Sequence, residues 1–231
     1  VTGHPGNPPT RIGMSIGDIG SGLYATIGVQ AALYHRQLTG EATKVDIGML
    51  DCQVALLENA VMRYHVSGTP PGPLGARHPS ITPFEAYQTQ DGYIIISAGN
   101  DSLFAKLCEA LEKSEWSTDP IFTTNDLRNQ NVEKLKTKME TVLAKNTTSH
   151  WVDVLAKFGI PASPINDVGQ AATHPQTVAR NMIVSIADPI TGPMKVSGNP
   201  VKISTFEDPE TRIPAPNLDE HRDRILKEID L

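Results

Sequence analysis

Between Leu23 and Leu38 apolar side chains return at three- and four-residue spacing, at Leu23, Ile27, Ala31, Tyr34 and Leu38, and Gly40 follows as a stop signal. That spacing predicts a helix over 23–38 whose apolar stripe is core, packed on something larger. The preceding segment, Ser15-Ile16-Gly17-Asp18-Ile19-Gly20-Ser21-Gly22, carries three glycines, which predicts that the helix is not yet established there. Residues 44–50 alternate polar and apolar side chains, as a short strand does. Asp51 is then placed to cap a second helix through Ala55, Leu56 and Val61 toward His65.

Between Ser67 and Pro83 the pattern gives way to Gly and Pro, which marks a domain boundary and a long functional loop at once. Two β-rich runs, 84–90 and 93–98, flank Asp91-Gly92 and predict a hairpin. Amphipathic helices are predicted over 102–112, 131–145 and 149–158, the last opened by a Ser cap and closed at Gly159-Ile160-Pro161. Beyond Pro164 come a short helix at 167–172, short strands at 182–186 and 194–196, and a charged closing helix over 218–229. The expected class is α/β, organised as a large-domain segment over 1–66, a small α+β domain over 67–165 and a return segment over 166–231.

Composition narrows the function classes. With 231 residues and 39% hydrophobic content the chain can bury a core, and a formal charge of −6 gives nucleic acid or an anionic membrane surface nothing to bind. Small-molecule or protein partners are expected instead. The two cysteines, Cys52 and Cys108, lie in apolar helix-like stretches, which predicts neither a disulfide framework nor a zinc site and fits a reducing, cytoplasmic compartment. No apolar run reaches the roughly 20 residues that span a bilayer, and the scattered histidines predict no metal. The first ten residues hold three Pro and two Gly with no initial Met, as if the chain entered inside a loop, so a fragment is expected.

Asp18 is the first candidate for chemistry. A carboxylate among glycines just ahead of a helix has room for a bulky substrate at Gly17, Gly20 and Gly22, the positive end of a helix dipole, and free backbone N–H groups nearby. Such a carboxylate can attack a thioester carbonyl and form a mixed anhydride. On residue type and spacing alone a helix cap is the commoner role for it.

The order of motifs changes that balance. The stretch from Ser15 to Tyr24, the helix end Ala32-Leu33-Tyr34-His35-Arg36-Gln37-Leu38-Thr39-Gly40, the run Val45 to Asp51, Gly159-Ile160-Pro161-Ala162-Ser163-Pro164-Ile165-Asn166 and the closing Arg212-Ile213-Pro214-Ala215-Pro216 together resemble the carboxyl-terminal part of the family III (CaiB/BaiF) coenzyme A transferases, with branches such as the formyl-CoA and succinate-hydroxymethylglutarate types.

The resemblance implies a Rossmann-like large domain with a small α+β domain, two chains interlocked as linked rings, coenzyme A as a substrate with no permanently bound cofactor, and Asp18 as the residue acylated in turnover. It implies too that an amino-terminal half carrying much of the CoA-binding surface precedes this segment. Oxyanion donors are expected near Gly20, Ser21 and Gly22, and at Gly75. In the family the segment matching 72–80 is a glycine-rich loop closing over the catalytic Asp. Here Arg77 and His78 replace glycines, as in the branch acting on dicarboxylic acids, and would suit a substrate carboxylate. Asn100 stands where the related methylacyl-CoA racemases carry a Glu, which favours transferase over racemase. Its other role is that of a cap or turn residue. A racemase and an inactive binding fragment are the competing expectations.

Overall fold

The computed structural model describes residues 1–229, so the last two positions of the return segment lie outside the described residues. Helix α1 (Ile16–Thr39) begins earlier than predicted and runs straight through Gly17, Gly20 and Gly22. Each glycine costs roughly 1 kcal/mol of helix propensity against Ala, but the helix needs small residues on its packed face. A Cβ on Gly20 would stand 2.5 Å from Leu56 Cδ1, and one on Gly28 would stand 2.8 Å from Val45 Cγ1. Gly20 is buried, and Ala25, Gly28 and Ala32 on the same side are half-buried.

The predicted core stripe is therefore on the wrong side. Leu23, Ile27, Tyr34 and Leu38 are 62%, 64%, 65% and 69% exposed, and Ala31 is exposed with them. Periodicity located a real apolar face, but close backbone approach selected the small-residue face for packing within the described residues.

Residues 44–48 pair with no strand among the described residues, so the predicted strand is absent. Gly48 is the N-cap of α2 (Met49–Leu56), which places Asp51 inside the helix rather than at its cap. The predicted single helix is broken: Glu58 adopts φ 54°, and α3 (Asn59–Ser67) starts after it. A non-glycine residue in the left-handed region cannot continue a right-handed helix.

Strands β1 (Phe84–Gln88) and β2 (Tyr93–Ser97) form the predicted antiparallel hairpin, in register from Phe84 opposite Ser97 to Gln88 opposite Tyr93. A third strand, β3 (Ala162–Pro164), adds to β2. Against this sheet lie α4 (Asp101–Ala110), a 3₁₀ turn (Ser114–Thr118), α5 (Asn125–Gln130), α6 (Val132–Leu143) and α7 (Thr148–Lys157). The cap of α7 is Thr147, whose hydroxyl accepts from His150 N–H at 3.3 Å, rather than a serine. Tyr87, Ile94, Ile96, Phe104, Leu135 and Leu155 belong to the buried core between sheet and helices.

Arg128 on α5 is fully buried beneath the loop that precedes β1. Its guanidinium donates to the carbonyls of Thr82 (2.8 Å), Phe122 (3.0 Å) and Gly99 (2.9 Å) and to Asp101 Oδ1 (2.9 Å), and lies 4.5 Å from the centre of the Phe104 ring. Burying a charge demands such complete partnering.

The chain divides into two compact units, Val1–Pro164 and Ile165–Leu231. The second holds α8 (Val168–Thr173), α9 (Pro175–Ala179), a small sheet of β4 (Ile183–Asp188), β5 (Gly192–Ser197) and β6 (Thr211–Arg212), and α10 (Arg222–Glu228). Strand β4 is central, antiparallel to β5 and parallel to β6. Asp208 accepts from Lys202 and Arg212, and these bonds, Lys202 first, hold its carboxyl below the usual range.

Candidate active site

Asp18 is the third residue of α1, in its first turn, and its side chain is exposed. It is therefore not the cap. Ser15 holds that position, yet its hydroxyl makes no capping bond and instead accepts from Arg11 Nη2 at 3.3 Å. Ile16 N–H donates to Met14 O at 2.9 Å and Ile19 N–H to Ser15 O at 3.0 Å, while the N–H groups of Gly17 and Asp18 find no acceptor among the described residues. These two donors, together with the aligned peptides of a 24-residue helix, create positive potential where the carboxylate stands.

A cavity of about 490 Å³ opens beside this turn. Its wall includes Arg11, Ile12, Ser15, Gly17 and Asp18 from the loop and first turn, and Met49 and Gln53 from α2. Gln53 lies beside Gly17, where an added Cβ would stand 3.4 Å from Gln53 Cδ, an ordinary contact. The arrangement offers an exposed carboxylate, two free backbone donors and one guanidinium around a space of ligand size.

The other expected site residues are placed differently. Gly20, Ser21 and Gly22 lie within α1, where their N–H groups are committed to carbonyls four residues back, so they are not the oxyanion donors expected of them. The free donors lie one turn earlier, at Gly17 and Asp18. Ser21 Oγ donates to Gly17 O at 2.7 Å.

Gly75 adopts φ +67°, the left-handed region that favours glycine, and its N–H donates to Gly3 O at 2.9 Å. It too lacks a free donor. Its bond pins the loop to residues 3–4, next to Thr2 on the cavity wall.

His78 Nδ1 accepts from Ser80 N–H (3.2 Å) and Ile81 N–H (3.0 Å), and its ring stacks on Phe84 with centroids 5.3 Å apart. An Nδ1 that accepts leaves the ring proton on Nε2. Arg77 forms no ion pair among the described residues. Asn100 caps α4, its Oδ1 accepting from Leu103 N–H and Ser102 Oγ, both at 2.8 Å. Gly75, Arg77, His78 and Asn100 are all absent from the wall of the Asp18 cavity.

Arg11, Ser15 and Gln53 escaped the sequence reading. Arg11 and Ser15 are four residues apart, but their juxtaposition with Asp18 became readable only once the helix was known to start at Ile16. Among the described residues no cluster of His, Cys, Asp and Glu could hold a metal ion, and no helix is long and apolar enough to cross a membrane.

An exposed carboxylate and two unpaired backbone donors beside one cavity are parts that acyl transfer can use. CoA-transferase family III matches residues 1–222, and the chain belongs to that family. It is 41% identical to the acetyl-CoA:oxalate CoA-transferase of Acetobacter aceti, covering 99% of this chain and 58% of that protein. Against the succinyl-CoA:glutarate CoA-transferase of Homo sapiens it is 32% identical, over 99% of this chain and 52% of that one. A CAIB/BAIF family protein from Brucella suis superposes with a TM-score of 0.80 at 34% identity, over all of this chain and 59% of its own. The chain thus spans a little over half the length of these relatives.

Proposed function

We propose that the whole protein carries coenzyme A from an acyl-CoA to a dicarboxylic acid, with Asp18 as nucleophile. The observation that carries this is the exposed Asp18 carboxylate at a cavity wall beside the unclaimed N–H groups of Gly17 and Asp18. The relatives' names, which specify oxalate, glutarate and mesaconate, support a dicarboxylate.

An Asp18 oxygen attacks the thioester carbonyl; the C–S bond breaks, and CoA thiolate leaves a mixed anhydride. The thiolate then attacks the Asp18 carbonyl carbon, which releases the donor acid as its carboxylate and forms an aspartyl-CoA thioester. The acceptor carboxylate attacks that same carbon, expelling the thiolate and forming a second anhydride. Thiolate attack on the acceptor's carbonyl yields the new acyl-CoA and restores Asp18. The N–H groups of Gly17 and Asp18 are the proposed donors to the negative charge of the tetrahedral intermediates, at about 3 kcal/mol per donor.

Racemisation needs an acid and a base at the α-carbon. Asn100 supplies neither, and its neighbour Asp101 is paired with Arg128 at 2.9 Å. These facts favour transfer.

The division into 1–66, 67–165 and 166–231, a cytoplasmic location and an interlocked homodimer with an amino-terminal half belong to the same proposal. The exposed stripe on α1 supports a covering polypeptide surface.

The mechanism is tested by adding acyl-CoA and hydroxylamine to the natural-length protein and mapping adducts by mass spectrometry. Hydroxylamine should convert activated Asp18 to its hydroxamate. Turnover without any adduct at Asp18 would defeat the mechanism.

A further inference from the structure

The cavity beside Asp18 contains a positive group that the transfer chemistry described above does not use. Arg11 is the only arginine or lysine side chain on the described wall, and it has no carboxylate partner among the described residues. Its one hydrogen bond, to Ser15 Oγ at 3.3 Å, ties the guanidinium to the residue that opens α1, three positions before Asp18. A guanidinium has five N–H donors in a planar fork, so one tether leaves most of the fork of this cavity-lining arginine unbonded.

Every productive encounter brings one carboxylate of the acid to Asp18. A dicarboxylic acid carries a second negative charge into the same space, and that charge loses hydration unless a cation replaces it. Arg77 and His78, the groups expected from sequence for this task, are not on this wall, and His78 Nδ1 is already occupied.

We infer that Arg11 is the specificity-determining residue: it binds the remote carboxylate of a dicarboxylic acid while the other carboxylate meets Asp18. The inference rests on the proposed CoA-transfer function. It adds a positive subsite, held by Ser15, on the same wall as the nucleophile. A monocarboxylic acid of equal length makes no use of the fork.

The test uses the natural-length protein with acetyl-CoA or succinyl-CoA as donor. The acceptors are oxalate, succinate and glutarate, with butyrate as the monocarboxylate match for succinate. Arg11→Gln should raise KM for the best dicarboxylate about tenfold more than for butyrate, the size of one lost charge-assisted hydrogen bond, with kcat much less affected. Arg11→Lys should recover part of that loss. Calorimetric titration of the acids alone should show the same selective weakening.

Equal losses on dicarboxylate and butyrate overturn the inference, as does an unchanged dicarboxylate KM or a wild-type preference for butyrate. Hydroxylamine trapping separates the two proposals. An adduct at Asp18 in both wild type and Arg11→Gln leaves the nucleophile intact whatever the acid selectivity, whereas failure of the function itself appears as active wild type with no adduct.

Discussion

Asp18 and Asp91 are both exposed carboxylates with different partners. The Asp18 carboxylate forms no ion pair among the described residues and stays open to solvent. Asp18→Asn keeps the size and removes the proposed nucleophile; in the natural-length protein CoA transfer should fall about 1000-fold or more, with an unchanged melting temperature, read by a thioester-exchange assay and a thermal scan.

Asp91 Oδ1, in contrast, accepts from Thr148 N–H (2.8 Å), Thr148 Oγ1 (3.0 Å) and Thr89 Oγ1 (3.3 Å). These bonds, the Thr148 backbone bond first, lower its carboxyl below the ordinary 3.8. A depressed folded value means the stabilisation is complete above 3.8 and is lost as pH falls through the folded value. Asp91→Asn should therefore melt lower at pH 7 and lose less further stability between pH 4 and 2; melts that stay parallel to wild type across that range would reject this account.

Burial pushes the Cys108 thiol up to about 12. It stays protonated at neutral pH and should react with a thiol reagent only after denaturation, a point settled by timed labelling with and without urea.

At the scale of elements, α5 controls the root of the loop that carries Arg77 and His78. Asn125, Arg128 and Asn129 stand at the i, i+3, i+4 spacing of one helix face. Asn125 and Asn129 donate to Ser80 O at 2.8 and 2.7 Å, and Arg128 donates to Thr82 O. Arg128→Met leaves the buried carbonyls of Thr82 and Phe122 and the half-buried one of Gly99 without their donor and should cost about 3 kcal/mol or more by urea denaturation. A loss under about 1 kcal/mol would mean that water replaces the guanidinium.

This face was not legible in the sequence, because six residues are too few for a periodic signal. The β1–β2 hairpin was legible because alternation and an Asp-Gly turn both act locally. Helix α1 was half legible. Its apolar repeat is real, but the packing use of its glycines was not legible, because their partners Leu56 and Val45 are distant along the chain.

For the whole molecule, the exposed Leu23, Ile27, Tyr34 and Leu38 matter most. If the proposed dimer covers this stripe, Leu23→Glu with Ile27→Glu should leave the secondary structure intact by circular dichroism yet drive the natural-length protein toward monomer in sedimentation velocity. An unchanged sedimentation coefficient would remove the stripe from the interface.

The sequence by itself determined the family, through motifs in fixed order, and singled out Asp18 as the residue to examine. It determined the hairpin and most helices of the small core as well, since turn chemistry and short-range periodicity are properties of neighbouring residues. Only the tertiary structure decided which face of α1 packs, that 44–48 pairs with no strand among the described residues, that His78 and Asn100 serve their own turns, and that Arg11 shares a cavity with Asp18. Each of these depends on how closely two backbones approach or which polar group is left without a partner, and both are set by contacts between residues far apart in the chain.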